Sequence, residues 1–306
     1  MKERWKVRGL VVSLNTPFDG DGQPDLRALQ ALVRFHLDEG AVGFLVCAQA
    51  GEVFELSFAE RLAILQTVRE VTRGRALVIA GASGQDPEQS LAMAEHAARL
   101  GCDGVLSEAP PGCPRELAPL LDYFGRLAEA GPPLLILQDL DWRGPGLPVP
   151  ILLELFERIP SFRGLKVEVV PAGPKYTAVR QATEGRLHLS GGWAALQMIE
   201  ALDRGVDVFM NTALTRLYRA VFEAYDAGDR ALAVERFHRL LPVLAFTRQH
   251  FDVSLHFHKR LFHHLGIFAT PYVRKRGLAW DEYFERQTID LLAYLDRLDE
   301  VDRSDH

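Results

Sequence analysis

Eight short apolar runs, each followed by a longer stretch of helical periodicity, constrain the fold of this chain more than any other feature. The runs are Gly9–Leu14, Gly43–Cys47, Leu77–Ala80, Gly104–Ser107, Leu134–Gln138, Gly164–Lys166, Leu187–Ser190 and Val206–Met210. Alternation of this kind implies a parallel sheet whose crossovers are helices. Between the first two runs, Asp25 to Glu39 places Leu26, Leu29, Leu32 and Val33 on one face. Ser57 stands three residues before Glu60 at the start of the next helical stretch, a capping-box pattern. Asp86 followed by Pro87 marks a third helix start. An open sheet commonly has five or six strands, whereas eight βα units close on themselves within about 250 residues. The expectation is an α/β fold, a (β/α)8 barrel over residues 1–226. Residues 227–306 then form a C-terminal helical extension packed on the barrel, with helices at Asp229–His250, Ser254–Leu265 and Trp280–Arg297.

Composition removes several function classes. The 306 residues carry a formal net charge of -6, which leaves no basic footprint for nucleic acid. Apolar runs such as Ala41–Ala48 are too short to cross a bilayer, so no membrane partner is expected. The opening Met1-Lys2-Glu3-Arg4-Trp5-Lys6 lacks the apolar core of a signal peptide. Three cysteines, an odd number without CxxC spacing, read as thiols in a reducing cytoplasm.

In a barrel of this kind the residues at the C-terminal ends of the strands face one mouth, where chemistry is placed. Here they include Thr16, Gln49 with Glu52, Ser83, Glu108, Gln138 with Asp139, Lys166 with Glu168, Ser190 with Gly191, and Asn211. Helix caps account for Ser83 and Asn211 equally well. Caps do not account for Lys166, Gln138, Glu108 and Arg143 together. Lys166 ends the apolar strand of Phe162-Arg163-Gly164-Leu165-Lys166. A lysine in such a place either snorkels to solvent or stands among apolar walls, where the free amine can attack a carbonyl and form a Schiff base. Arg143, in the loop after the fifth strand, suits a bidentate grip on a carboxylate. Gly191 and Gly192 would let backbone N–H groups approach a ligand. Metal-based aldol chemistry would need several His, Asp or Glu ligands at the mouth. His256, His258, His263 and His264 lie instead in the tail, and they read as structural or surface residues.

The chain resembles the dihydrodipicolinate synthase / N-acetylneuraminate lyase family of Schiff-base barrels. The resemblance runs from Val7 to Thr270 and rests on Leu14-Asn15-Thr16-Pro17-Phe18, on Ala48-Gln49-Ala50-Gly51-Glu52 through Leu56-Ser57, on Leu100-Gly101-Cys102-Asp103-Gly104-Val105, on Gly164-Leu165-Lys166 and on Leu189-Ser190-Gly191. It implies a (β/α)8 barrel, a homodimer or homotetramer, in which Lys166 forms an imine with pyruvate or another 2-oxo acid and no metal or cofactor takes part. It also implies a substrate-binding role for Arg143 and for the positions of Gln49, Ala50, Ser190 and Gly191. The chain departs from the family at three places. Gln49 and Ala50 replace two threonines, Gln138 replaces the acid/base tyrosine, and Pro111 and Gly112 replace a tyrosine pair. Gln138 has no titratable proton, so it can orient a group but cannot relay a proton. Glu108 and Glu168, with Asp139 behind them, are the candidates for that proton, because burial raises a carboxyl pKa. The expectation is therefore a Schiff-base lyase, an aldolase or dehydratase distinct from a true dihydrodipicolinate synthase. The alternative is a barrel that binds a 2-oxo acid without turning it over.

Overall fold

The computed structural model describes residues 5–192, 196–275 and 277–304. Its strands are β1 (Gly9–Ser13), β2 (Gly43–Val46), β3 (Leu77–Gly81), β4 (Gly104–Ser107), β5 (Leu135–Asp141), β6 (Phe162–Val169), β7 (His188–Gly191) and β8 (Val208–Phe209). They pair in parallel in chain order, and β8 closes on β1. The helices are α1 (Leu26–Asp38), α2 (Phe58–Thr72), α3 (Pro87–Arg99), α4 (Leu117–Ala130), α5 (Val149–Arg158), α6 (Ala172–Ala182), α7 (Met198–Asp203) and α8 (Thr215–Asp226). Beyond Asp226 follow α9 (Arg230–His238), α10 (Leu241–Thr247), α11 (Phe251–His264) and α12 (Glu282–Ser304).

Local signals set the element boundaries. Asp25 caps α1 by accepting from the N–H groups of Arg27 and Ala28, and both halves of the Ser57–Glu60 capping box are formed. Such caps contribute about 1 kcal/mol each. The expected Asp229–His250 helix is two helices, because Pro242 in the first turn of α10 lacks the N–H that a continuous helix would need. The last helix starts later than Trp280, where the Asp281 carboxylate accepts from the N–H groups of Tyr283 and Phe284.

Alternation along the strands builds a layered interior. Val11, Leu45, Ile79, Leu106, Ile136 and Val208 fill the barrel as one buried cluster, which Trp5 and Val7 close from below. A fully buried side chain of this size contributes about 1.5–3 kcal/mol. Towards the C-terminal ends the inward positions turn polar, as Ser13, Gln138, Lys166 and Glu168. The sequence placed Lys166 at the end of its strand. In the structure it lies inside β6, because β5 and β6 stay paired through Asp139↔Val167, Leu140↔Glu168 and Asp141↔Val169. The longer strand puts Lys166 and Glu168, two residues apart, on the same inward face.

One buried ion pair joins the C-terminal helices to the mouth. Lys259 of α11 and Glu52, in the loop after β2, are both buried, with Nζ 2.5 Å from Oε1. The same amine donates to the Thr16 carbonyl at 2.6 Å and lies 4.1 Å from the centre of the Phe18 ring. The other Glu52 oxygen accepts the Lys275 N–H at 2.7 Å. Burial pulls Lys259 below the ordinary lysine range, to about 8, and the Glu52 charge opposes that fall. Removing one partner of such a pair leaves a bare buried charge. Lys259→Met should therefore lower the unfolding free energy by about 3–5 kcal/mol in urea titrations. Glu52→Gln combined with Lys259→Met should recover most of that loss, since the amide oxygen can still accept from Lys275.

Candidate active site

The polar layer opens into a pocket at the C-terminal mouth, lined from the barrel by Ser13, Asn15, Gln49, Ala50, Lys166 and Glu168, with Gly192, Met210 and Thr212. Helix α11 and the turn before it complete the lining with Arg248, Phe251, Ser254, Leu255 and His258. Trp142, from the loop after β5, stacks on Phe251 at 5.8 Å between ring centres.

At the floor, Lys166 is only 4% exposed. Its Nζ lies 3.2 Å from the Glu168 Oε2, and the Gln138 side-chain amide donates to that same oxygen at 2.5 Å. Lys166 faces Gln138 in register across β5 and β6, which brings the three side chains together. A carboxylate held between an amide and an amine can exchange a proton with the amine while the amide fixes its orientation. Glu108 stands nearby, and its Oε1 accepts from the Gln49 amide at 3.1 Å. Burial pushes the Glu108 carboxyl up and the Glu168 charge adds to the rise, against the Gln49 bond and the Lys166 charge.

The β2 loop is fixed by the β1 loop. Asn15 donates to the Ala50 carbonyl at 2.6 Å, and Thr16 donates to the Gly51 carbonyl at 2.8 Å. Glu52 adopts the left-handed conformation (φ 57°), a cost of roughly 1–2 kcal/mol for a residue with a side chain. Its buried pair with Lys259 offsets that cost.

The structure does not bring every candidate to the pocket. Arg143 is exposed outside the lining, its backbone N–H bonded to the Asp141 carboxylate at 3.1 Å. The loop that carries it turns away over Asp139, which pairs with Lys175 at 2.9 Å and accepts the Leu147 N–H at 2.8 Å. Asp139 is thus committed to holding that loop. Ser190 is buried, and its hydroxyl donates to the Leu165 carbonyl at 3.3 Å. Gly191 lies against the Tyr176 hydroxyl, and it is the next residue, Gly192, that reaches the pocket. Among the histidines, His256 stacks on Trp280, His263 bonds the Phe268 carbonyl and His264 bonds Asp296.

Arg248, His258, Trp142 and Phe251 are lining residues that sequence reasoning missed. Three of them come from the tail, and no strand-end position points to them. Burial lowers the His258 imidazole to about 3 and the Arg248 charge adds to the fall, so the ring is neutral and bonds Ser254 at 3.3 Å.

A sequence model of the dihydrodipicolinate synthetase family matches residues 6–289. The chain belongs to this family. The family is one of Schiff-base-forming lyases acting on pyruvate. The 4-hydroxy-tetrahydrodipicolinate synthase of Synechococcus sp. strain WH7803 is 30% identical over 243 residues, covering 76% of this chain and 78% of the relative. That of Prochlorococcus marinus is 28% identical over 237 residues, with coverage of 76% and 78%. Among solved structures, dihydrodipicolinate synthase from Rhodopseudomonas palustris superposes with a TM-score of 0.86 at 23% identity, over 96% of this chain and 99% of that one. YagE of Escherichia coli K12, a prophage protein of the family solved in complex with pyruvate, gives 0.84 at 20% identity, over 94% and 98%.

Gly192 tests whether the floor depends on close packing. A Cβ at this position would stand 2.2 Å from Glu168 Oε1 and 2.5 Å from Lys166 Cε. Gly192→Ala should displace both side chains and slow any Lys166-dependent reaction about 100-fold, with the far-UV spectrum and melting midpoint close to wild type.

Proposed function

We propose that this chain is a class I aldolase-type lyase, an aldolase or dehydratase, acting on pyruvate or another 2-oxo acid through an imine on Lys166. The observation that carries the reading is the buried Lys166 amine 3.2 Å from the Glu168 carboxylate, at the floor of the barrel-mouth pocket. The Lys166 Nζ attacks C2 and forms the C–N bond of a carbinolamine. The carbinolamine hydroxyl then leaves as water, and Glu168 is placed to supply its proton and to receive the one lost from nitrogen. In an aldolase the resulting protonated imine draws in the electron pair released when the C3–C4 bond breaks; in a dehydratase it draws in the pair left when C3 loses its proton, and the enamine then expels the C4 hydroxyl, which leaves with its own pair and a proton as water.

Gln138 holds Glu168 in position and transfers no proton. The acid/base work thus falls to the two carboxyl groups, Glu168 beside the amine and Glu108 beside Gln49. This division differs from the tyrosine-based relay implied by the family resemblance, and it supports a reaction other than that of a true dihydrodipicolinate synthase. Members of the family are typically oligomeric, which supports a homodimer or homotetramer as the working assembly.

Borohydride reduction in the presence of pyruvate and longer 2-oxo acids tests the imine. The expected result is a mass increase on the peptide containing Lys166 and none in Lys166→Ala. A folded protein that takes no label from any of them would instead be a binder without turnover. Glu168→Gln should slow adduct formation about 100-fold, the usual contribution of a positioned acid or base. If Glu108 donates a proton, its elevated carboxyl pKa sets the sign of the pH profile. The protonated fraction falls as pH rises through that value, so the rate falls on the alkaline side, and Glu108→Gln should abolish that limb.

A further inference from the structure

Behind the pocket wall, Arg61 is a buried cation that the imine chemistry does not use. It stands in the first turn of α2, only 4% exposed, and no carboxylate pairs with it among the described residues. Taking a lone guanidinium out of water is costly unless its N–H groups find acceptors. Two carbonyls at the end of β3 accept from it, Gly81 at 3.0 Å and Ser83 at 3.1 Å, while its Nε has no partner. Burial lowers the pKa of the group, and only the Cys47 and Tyr123 side chains oppose that fall. The Arg61 carbonyl in turn accepts from the Cys47 thiol at 3.6 Å, at the end of β2. One residue thus clamps the ends of two neighbouring strands.

From that clamp an unbroken run of hydrogen bonds leads to the pocket. The Ser83 hydroxyl accepts the Glu108 N–H at 3.2 Å, Glu108 accepts from the Gln49 amide at 3.1 Å, and Gln49 lines the pocket. An apolar side chain of similar volume would fill the Arg61 site without burying a charge. What the guanidinium adds is a fixed direction for two carbonyls, one of which belongs to the residue that holds Glu108. We propose that Arg61 is a positioning residue for Glu108. It fixes the backbone at Gly81 and Ser83, and the Ser83 hydroxyl then keeps the Glu108 carboxyl beside Gln49 and away from solvent. This inference rests on the reading of Glu108 as an acid/base group of the Lys166 reaction.

Carbon-13 NMR titration of the Glu108 carboxyl, assigned by its loss in Glu108→Gln, tests this without relying on turnover. The ionisable groups around that carboxyl are Lys166, Glu168 and Tyr123, and burial holds it above the ordinary glutamate range. In Arg61→Met the titration should move down towards that range as the carboxyl relaxes into solvent. Ser83→Ala should move it the same way, because it removes the hydroxyl but leaves both carbonyls that Arg61 holds. Arg61→Lys, which keeps the charge and loses the fork, should move it less. Leu152→Ala, a core truncation in α5, should leave it in place. An unmoved titration in folded Arg61→Met would overturn the proposal. If that variant does not fold, an unmoved titration in Ser83→Ala would do so. Borohydride trapping of pyruvate separates the two readings. Where an adduct forms, Arg61→Met and Ser83→Ala should each slow it about 100-fold and shift the alkaline limb of the rate to lower pH. A moved titration with no adduct in any of the proteins would sink the Schiff-base reading and leave the placement of Glu108 by Arg61 standing. Trapping in wild type with the titration and the limb unmoved in both variants would do the reverse.

Discussion

The buried contact between Lys259 and Glu52 is the constraint on which the geometry of the mouth depends. Taking two ions out of water costs several kcal/mol each, and only close pairing with satisfied remaining hydrogen bonds recovers that cost. Here the amine also reaches the Thr16 carbonyl, and the carboxylate also receives the Lys275 N–H. One pair therefore fixes the loop after β1, the left-handed turn after β2, helix α11 and the segment beyond it. Each of these elements supplies or supports a wall of the pocket. A single barrel of βα units would leave the mouth open to solvent, and this contact brings a second tier over it.

Beneath that tier, the chemistry follows from where the barrel interior changes character. Apolar side chains fill the lower layers, and the polar ones begin only where the strands approach the mouth. A water-poor floor with a few fixed dipoles makes every charge interaction there stronger than it would be in solvent. Lys166, Glu168 and Gln138 form one unit in this setting. The extension of β6 past Lys166 creates that unit, because strand periodicity then returns Glu168 to the inward face next to the amine.

Much of this was legible in the sequence. The eight apolar runs correspond to the eight strands, and the Ser57–Glu60 capping box forms as its spacing requires. The strand-end reading also put Lys166 and Glu168 at the same mouth, though not on one strand face. The reach of β5 and β6 was not legible, because cross-strand pairing, not local propensity, carries them through Asp141 and Val169. The tail was harder to read. Arg248 is distant in sequence from every strand end, and only the packing of the tail helices over the mouth brings it into the lining of the pocket that holds Lys166. Arg143 shows the converse. Its position after β5 suits a carboxylate grip, yet the Lys175–Asp139 pair organises the loop so that this side chain meets solvent.

The Trp142–Phe251 stack spans the seam between a barrel loop and the helical tier. An aromatic pair of this kind is worth about 0.5–1.5 kcal/mol beyond the surface it buries. The two rings tie the loop after β5 to the start of α11, so a substitution at either one loosens the barrel side and the helical side of the pocket together.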